Sequence, residues 1–173
     1  MRGESRSTLS SWVVRHTRHL RSGQCALDLA CGNGKHARYL ADLGIRVTAI
    51  DIDISQAAAL ADYPDIDWQS GDLESEDWPY ANDSFDSIIV TNYLHRPLLP
   101  RLAAALKPGG LLIYDTFGSG NELYGRPRNP EFLLLPAELL NVYQGVLKIL
   151  AYEHGYCPTP RAAIRQRLCA KKE

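Results

Sequence analysis

The sequence predicts an α/β fold: a doubly wound, Rossmann-like sheet of five parallel strands that ends in an antiparallel hairpin, with helices on both faces. Short apolar runs alternate with segments of helical periodicity along most of the 173 residues. Residues 85–91 have the continuous apolar character of a parallel strand that is covered on both sides. The last two apolar runs are joined by too few residues for a crossover helix, so they must pair antiparallel. The expected strand order is 3-2-1-4-5-7-6.

The first half of the chain alternates three strands with three helices. Apolar residues recur at helical spacing in the first segment, and Gly44 follows the second helix where a C-terminal glycine is expected. Ser55 is a suitable residue to cap the third helix. The expected strands are residues 25–30, 45–53 and 65–70, and the expected helices are residues 10–20, 34–43 and 55–61.

The second half supplies the centre of the sheet and its far edge. Pro97 can open a helix at its first turn, and the stretch "KPGG" ends that helix near residue 106. The polar, irregular loop over residues 118–130 is long enough to act as a lid. Strands are expected at residues 85–91, 111–117, 145–152 and 162–170, and a short helix at residues 136–141.

Composition favours one domain over residues 10–173, preceded by a polar, disordered segment at residues 1–9. The formal charge of -1 provides no overall attraction to nucleic acid or to an anionic membrane. No apolar stretch approaches the roughly 20 residues of a membrane span. The four cysteines form no CxxC pair, which indicates free thiols in a reducing cytosol. We therefore expect a cytoplasmic protein that is a monomer or a weak homodimer. We expect no metal site, because the histidines form no compact ligand set with the cysteines or acids.

The stretch "LDLACGNGKH", residues 27–36, predicts a ligand-binding turn between the first strand and the second helix. Gly32 and Gly34 allow a sharp turn that brings backbone amides close to a ligand, and the following helix start favours an anionic group. The same letters satisfy the dinucleotide pattern GxGxxG/A, and Asp51 lies near the distance expected for a ribose-binding acid. A nicotinamide cofactor therefore stays an alternative at this point.

Carboxylates after three successive strands favour a different cofactor. Asp28, Asp51, Asp53 and Asp72 would line one crevice with negative charge, which repels a pyrophosphate. A ligand with an ammonium group, a sulfonium centre, ribose hydroxyls and an adenine amino group suits such a crevice. S-adenosylmethionine (SAM) has these groups.

Five stretches between residues 25 and 117 resemble, in order, the successive motifs of the class I SAM-dependent methyltransferases. They are "LDLACGNGKHARYL", "VTAIDID", "GDLE", "FDSIIVTNYL" and "LKPGGLLIYDTF". More locally, residues 28–53 are similar to short bacterial methyltransferases that include the tellurite-resistance type, which act on small or inorganic acceptors. The resemblance implies a transferase that moves the methyl group of SAM by in-line displacement.

The resemblance also implies a role for each cofactor-binding residue. Asp28 would orient the methionine amino group, Asp51 would hold the ribose hydroxyls, and Ile52 would pack against adenine. Alternatively, Asp28 and Asp51 could be strand-end caps, and Asp72 could form an Asx turn. The implied cofactor-binding residues are Asp28, Ala30, Cys31, Gly32, Gly34, Asp51, Ile52, Asp72, Leu73 and Asn92.

Tyr93 and His95 follow the fourth strand and are the candidate catalytic residues, with His95 preferred as a base or as a group that positions the acceptor. His95 could also simply pack before the Pro97 helix. A short chain without an aromatic and basic stacking platform favours a small-molecule acceptor over nucleic acid. The acceptor wall would use Tyr114, Tyr124, Arg126 and Arg128. A non-catalytic SAM-binding module and, less favoured, an NAD-binding oxidoreductase remain alternatives.

Overall fold

Seven strands form one mixed sheet in the computed structural model, which describes residues 8–58, 63–75 and 77–173. The strands are β1 (Cys25–Leu29), β2 (Arg46–Asp51), β3 (Ile66–Ser70), β4 (Phe85–Thr91), β5 (Leu106–Phe117), β6 (Lys148–Cys157) and β7 (Ala163–Lys171). Their order is β3-β2-β1-β4-β5-β7-β6. The first five strands pair in parallel, and β7 pairs antiparallel with both β5 and β6. The predicted fold class and strand order are confirmed.

The helices cover the sheet through two clusters of buried apolar side chains. They are α1 (Ser11–Thr17), α2 (Lys35–Asp42), α3 (Ser55–Ala58), α4 (Leu99–Ala105) and α5 (Glu138–Tyr143). One cluster joins α1 and α2 to strand residues such as Ala26, and the other joins α4 and α5 to strand residues such as Leu27 and Leu29. Because side chains alternate along a strand, Asp28 shares the face of Ala26 and lies on the side of α2.

Long-range pairing moves three of the predicted boundaries. β5 begins at Leu106 instead of residue 111, because Phe85 of β4 still pairs with Leu106 beyond an irregularity at "KPGG". β6 begins at Lys148 and runs on to Cys157 through turn-forming residues, because each of them meets a partner on β7. Of the predicted third helix, residues 59–61 lie outside the described residues.

No helix in the described ranges could cross a membrane, since even the longest α-helix, α2, has only eight residues. The four cysteines are free thiols, as predicted. Of the segment predicted to be disordered, residues 1–7 lie outside the described ranges. Thr8 is placed against α2, where its carbonyl oxygen accepts a hydrogen bond of 2.7 Å from Lys35 Nζ.

A buried carboxylate on β5 connects the start of α1 to the C-terminal hairpin. Asp115 Oδ1 accepts hydrogen bonds from Arg165 Nε at 2.6 Å and from Arg167 Nε at 3.0 Å. Its Oδ2 accepts a bond of 2.6 Å from Ser10 Oγ, and Ser10 also caps α1 by accepting from the Val13 amide. Asp115 is only 2% exposed, so these donors compensate for most of the lost hydration.

We predict that Asp115→Asn lowers the free energy of unfolding by about 3–5 kcal/mol, because two guanidinium groups lose the charge that they face. Urea denaturation measures the change. Asp83→Asn is the matched control. Asp83 pairs with Lys172 at the surface, where an ion pair contributes about 0–1 kcal/mol, and its positive φ suits asparagine. Equal losses in the two variants would show that the Asp115 network does not support the fold.

Candidate functional site

The turn after β1 brings three residues into the left-handed region of backbone conformation. Ala30, Gly32 and Gly34 have φ values of 54°, 55° and 71°. A Cβ atom on Gly34 would overlap the ring of Trp68 on β3, so only glycine allows this close packing. A Cβ atom on Gly32 would meet open space, so the backbone there is accessible to a ligand. Ala30 adopts this conformation against its steric preference, which is typical of ligand-binding turns.

Asp51, the last residue of β2, contacts the glycine turn directly. Its Oδ2 accepts a hydrogen bond of 2.8 Å from the Gly32 amide, and its Oδ1 accepts one of 3.2 Å from the Asp53 amide. The carboxylate therefore acts as a strand-end cap, as the alternative interpretation required. A carboxylate offers about four acceptor positions, so Asp51 can still accept two hydroxyl donors from a ligand.

Asp28 lies buried beside the same turn, on the α2 face of β1. It is 1% exposed, and within the described ranges neither carboxylate oxygen has a hydrogen-bond partner. Burial raises its pKa from 3.8 to about 7; the Ala37 amide, which points toward the carboxyl group without reaching hydrogen-bond geometry, and the charge of Lys35 oppose this rise, and Asp51 adds to it. These contacts do not support the interpretation of Asp28 as a strand-end cap. A buried carboxyl group without a donor suits a positively charged ligand group.

Three other predicted residues lie near Asp28 or at the next strand ends. Burial raises the pKa of the Cys31 thiol to about 12, so this side chain stays neutral beside Asp28. Asp72 accepts from the Glu74 amide at 3.0 Å and from Ser75 Oγ at 2.6 Å, which makes the Asx turn of the alternative interpretation. Ile52 is 67% exposed, so its apolar surface is available for packing.

A small cavity separates the Asp72 turn from α4. Asp72 and Leu73 lie along it, which keeps the backbone of this segment next to an apolar space. The other residues that line the cavity are Ile50, Gly71, Asp77, Trp78, Pro79 and Leu98. Asp72 and Leu73, two of the predicted cofactor-binding residues, are therefore close together after β3.

Asn92 follows β4 and has a fixed orientation. Its φ is 56°, its amide donates to the Asp115 carbonyl at 3.0 Å, and its Oδ1 accepts from Arg165 Nη2 at 2.8 Å. A guanidinium group can only donate, so this contact identifies the side-chain oxygen. The NH₂ group of Asn92 is consequently left to donate elsewhere.

The two candidate catalytic residues, Tyr93 and His95, have different surroundings. Tyr93 lines a cavity of about 330 Å³ together with Asn92, Leu94, Glu74, Pro127 and Phe132. Burial and the nearby Glu74 raise the pKa of the Tyr93 hydroxyl, so it stays protonated. His95 lies instead near Asp72, whose pKa is lowered first by Ser75 and Glu74 and to a smaller extent by His95.

The acceptor wall is only partly where the sequence predicted it. Tyr114 is 1% exposed, and its hydroxyl donates to the Tyr93 carbonyl at 2.9 Å, so it supports the segment after β4 and cannot contact an acceptor. Tyr124 lies at the surface against Tyr156. Arg126 lines a cavity, whereas Arg128 is not among the residues that line it.

Sequence reasoning missed this cavity, which measures about 360 Å³ and lies at the ends of β4, β5 and β7. Its lining comes from the segment before α1, the start of α2, the loop after β5 and the turn between β6 and β7. These segments are far apart in the chain, so no local pattern connects them. The one sequence signal for this cavity was the pair of arginines at alternate positions in "RAAIRQR", residues 161–167. Five cations line the cavity: Lys35, Arg126, Arg161, Arg165 and Arg167.

His36 connects α1, α2 and β4 and is a neutral side chain. Its Nε2 accepts a hydrogen bond of 3.0 Å from the Ser10 amide, so the neutral ring carries its proton on Nδ1, which faces Thr91 Oγ1 at 3.3 Å. Burial, followed by the charge of Lys35, lowers its pKa to about 4. His36 is therefore a structural residue at neutral pH.

Comparison with known proteins gives the same family as the motifs. Residues 26–110 match the family model described as a methyltransferase domain. A demethylmenaquinone methyltransferase of Renibacterium salmoninarum is 33% identical over 113 residues, which cover 59% of this chain and 47% of that protein. The chain thus spans about half the length of the curated relatives it matches.

Two solved structures share the fold. TehB from Haemophilus influenzae superposes with a TM-score of 0.81 and 19% identity, over 96% of this chain and 63% of the other. A 1,6-didemethyltoxoflavin-N1-methyltransferase from Burkholderia thailandensis, with S-adenosylhomocysteine (SAH) bound, has a TM-score of 0.69 and 20% identity over 93% and 76% of the two chains. The match over residues 26–110 and the shared fold both support a class I SAM-dependent methyltransferase.

Proposed function

We propose that this protein binds SAM at the ends of β1, β2 and β3 and transfers the methyl group of SAM to a small molecule. The observation that carries the proposal is the buried carboxyl group of Asp28, which has no hydrogen-bond donor among the described residues and lies beside an open glycine turn. Asp51 bonds to that turn and adds a second negative charge. Both charges favour a cationic ligand over a pyrophosphate.

The residues present fit the groups of SAM. Asp28 would hold the ammonium group, Asp51 the ribose hydroxyls, and the Gly32 backbone is open to close approach. Ile52 offers an exposed apolar side chain for adenine, and the turn at Asp72 and Leu73 offers polar edges. We assign cofactor binding to Asp28, Ala30, Cys31, Gly32, Gly34, Asp51, Ile52, Asp72, Leu73 and Asn92.

When bound, SAM would supply a methyl group that the positive charge on sulfur already activates. The protein then needs mainly to hold the acceptor atom in line with the methyl carbon and to exclude water, and good orientation can contribute roughly 7–11 kcal/mol. Tyr93, which stays protonated, would donate a hydrogen bond to the acceptor. His95 would take a proton from the acceptor or position it.

A small-molecule acceptor is favoured by the cavities and by the relatives. Both larger cavities, of about 330 and 360 Å³, reach Asn92 after β4 and are of a size for small molecules. The names of the similar proteins refer to small acceptors, demethylmenaquinone in one case and didemethyltoxoflavin in another.

Cofactor choice can be tested by calorimetric titration of the purified protein with SAM, SAH and NAD. We expect binding of SAM and SAH but not of NAD. Asp51→Ala should weaken SAH binding tenfold or more, because charge-assisted hydrogen bonds of about 1.5–3 kcal/mol are lost. Asp65→Ala removes an exposed carboxylate before β3, at the opposite end of that strand, and should bind SAH normally. Binding of NAD alone would refute the proposal.

The ionisation of Asp28 predicts a pH dependence. Its pKa of about 7 implies that SAH affinity rises between pH 6 and pH 8, as the carboxyl group loses the proton that competes with a cationic ligand. Asp28→Asn should bind SAH more weakly at pH 8 and show no such rise. Calorimetry at several pH values measures both variants.

The same variant should be more stable than the wild type without a ligand. The folded-state pKa of Asp28 lies above its unfolded value of 3.8, so its stabilising contribution is present at low pH and is lost as pH rises through about 7. Thermal denaturation should therefore show a higher Tm for Asp28→Asn at pH 8 and a smaller difference at pH 5. A lower Tm at pH 8 would contradict the assignment.

Methyl transfer can be tested with labelled SAM and a panel of thiols, amines, phenols, carboxylates and oxyanions. With an acceptor that is turned over, His95→Ala should lower the rate about a hundredfold if His95 is the base, and should leave SAH affinity unchanged. His19→Ala, an exposed histidine after α1, is the matched control. Equal loss of rate and binding would make His95 structural, and no turnover of any acceptor would favour a non-catalytic SAM-binding module.

A further inference from the structure

The cavity at the ends of β4, β5 and β7, here called the basic cavity, has a strong excess of positive charge. Five cations and a single acid, Asp115, are among the residues that line it. The cations come from four separate segments that converge on one space of about 360 Å³. This local field is positive although the whole chain carries a formal charge of -1.

The one acid is not available to a ligand. Both oxygens of Asp115 are occupied by Ser10, Arg165 and Arg167, and the residue is buried. Arg167 also pairs with Glu153 at 3.2 Å, outside the lining. The ion pairs with Asp115 and Glu153 therefore use up part of the charge of Arg165 and Arg167.

Two arginines stand on the outer walls of the basic cavity. Arg126 belongs to the loop after β5, and Arg161 belongs to the turn between β6 and β7. In the described part of the chain, neither has an acidic partner within salt-bridge distance. Such guanidinium groups can bind a carboxylate or phosphate through paired hydrogen bonds.

The floor of the basic cavity presents donors as well. Arg165 fixes Asn92 so that its NH₂ group faces away from the bond to the guanidinium. The Phe117 ring, whose centroid lies 4.5 Å from Arg165 Cζ, gives the same floor an apolar surface. Asn92 also lines the neighbouring cavity that contains Tyr93, so a molecule in the basic cavity reaches the end of β4.

We propose that the basic cavity binds an anionic group of the methyl acceptor, a carboxylate or a phosphate, through Arg126 and Arg161. The proposal rests on the proposed function, because it places the acceptor beside Asn92 and the SAM site. The acidic residues after β1, β2 and β3 hold the cationic cofactor, and the basic residues of the cavity hold the anionic acceptor. Four of the five cations lie outside the matched methyltransferase domain of residues 26–110, so they can be specific to this acceptor.

The test uses the full chain saturated with SAH, whose own carboxylate then occupies its site. Hexanoate, benzoate and phenyl phosphate are titrated by calorimetry beside their neutral counterparts hexanamide, benzamide and phenol. We expect at least one anion to bind about tenfold more tightly than its neutral counterpart, with an affinity that falls as salt is added. The double variant Arg126→Gln, Arg161→Gln should lose about tenfold in anion affinity and retain its SAH affinity.

The double variant Arg21→Gln, Arg101→Gln removes the same charge from exposed positions outside the lining and should bind the anions normally. The inference is overturned if the anions bind no better than the neutral compounds, if both double variants behave alike, or if saturating SAH abolishes anion binding. The last result would assign the cavity to the carboxylate of the cofactor. The anions are also titrated into the chain without SAH, so failure of SAH to bind would refute the proposed function separately from anion binding by the two arginines.

Discussion

The carboxyl-terminal edge of the sheet depends on the hydrogen bonds and ion pairs of the buried Asp115 carboxylate. This carboxylate receives hydrogen bonds from the residue that caps α1 and from two arginines of β7. Arg165, one of these two arginines, also donates a hydrogen bond to the side-chain oxygen of Asn92 and so fixes the orientation of that amide. A single charge in a low-dielectric interior therefore joins the N-terminal helix, the C-terminal hairpin and the end of β4. The basic cavity lies between the segments that Asp115 connects.

The carboxyl edge of the sheet is divided electrostatically. Carboxylates lie near the ends of β1 and β2 and after β3, while guanidinium groups lie at β7 and in the loops beside it. Asn92, an uncharged side chain, stands between the two halves after β4. Such a division suits a reaction between a cationic donor and an anionic acceptor, because each ligand is attracted to its own half. The raised pKa of Asp28 shows that the acidic half is maintained at a cost in stability.

The matched domain and most of the basic cavity lie in different parts of the chain. The match to a methyltransferase domain covers residues 26–110 and contains the glycine turn and all the acidic residues of the proposed cofactor site. The fold is shared with TehB and with a 1,6-didemethyltoxoflavin-N1-methyltransferase. Arginines on the loop after β5 and on the β6–β7 hairpin are therefore the natural place for specificity, because loops vary while the sheet is retained.

The sequence by itself determined the strand order, the bounds of β4 and the glycine turn, because hydrophobic period and turn chemistry are local signals. Tertiary structure alone decided that β6 runs to Cys157, that Tyr114 is buried and that His36 is neutral. It also created the basic cavity, from residues between 8 and 167. Burial and long-range pairing depend on which segments meet in space, and no local pattern contains that information.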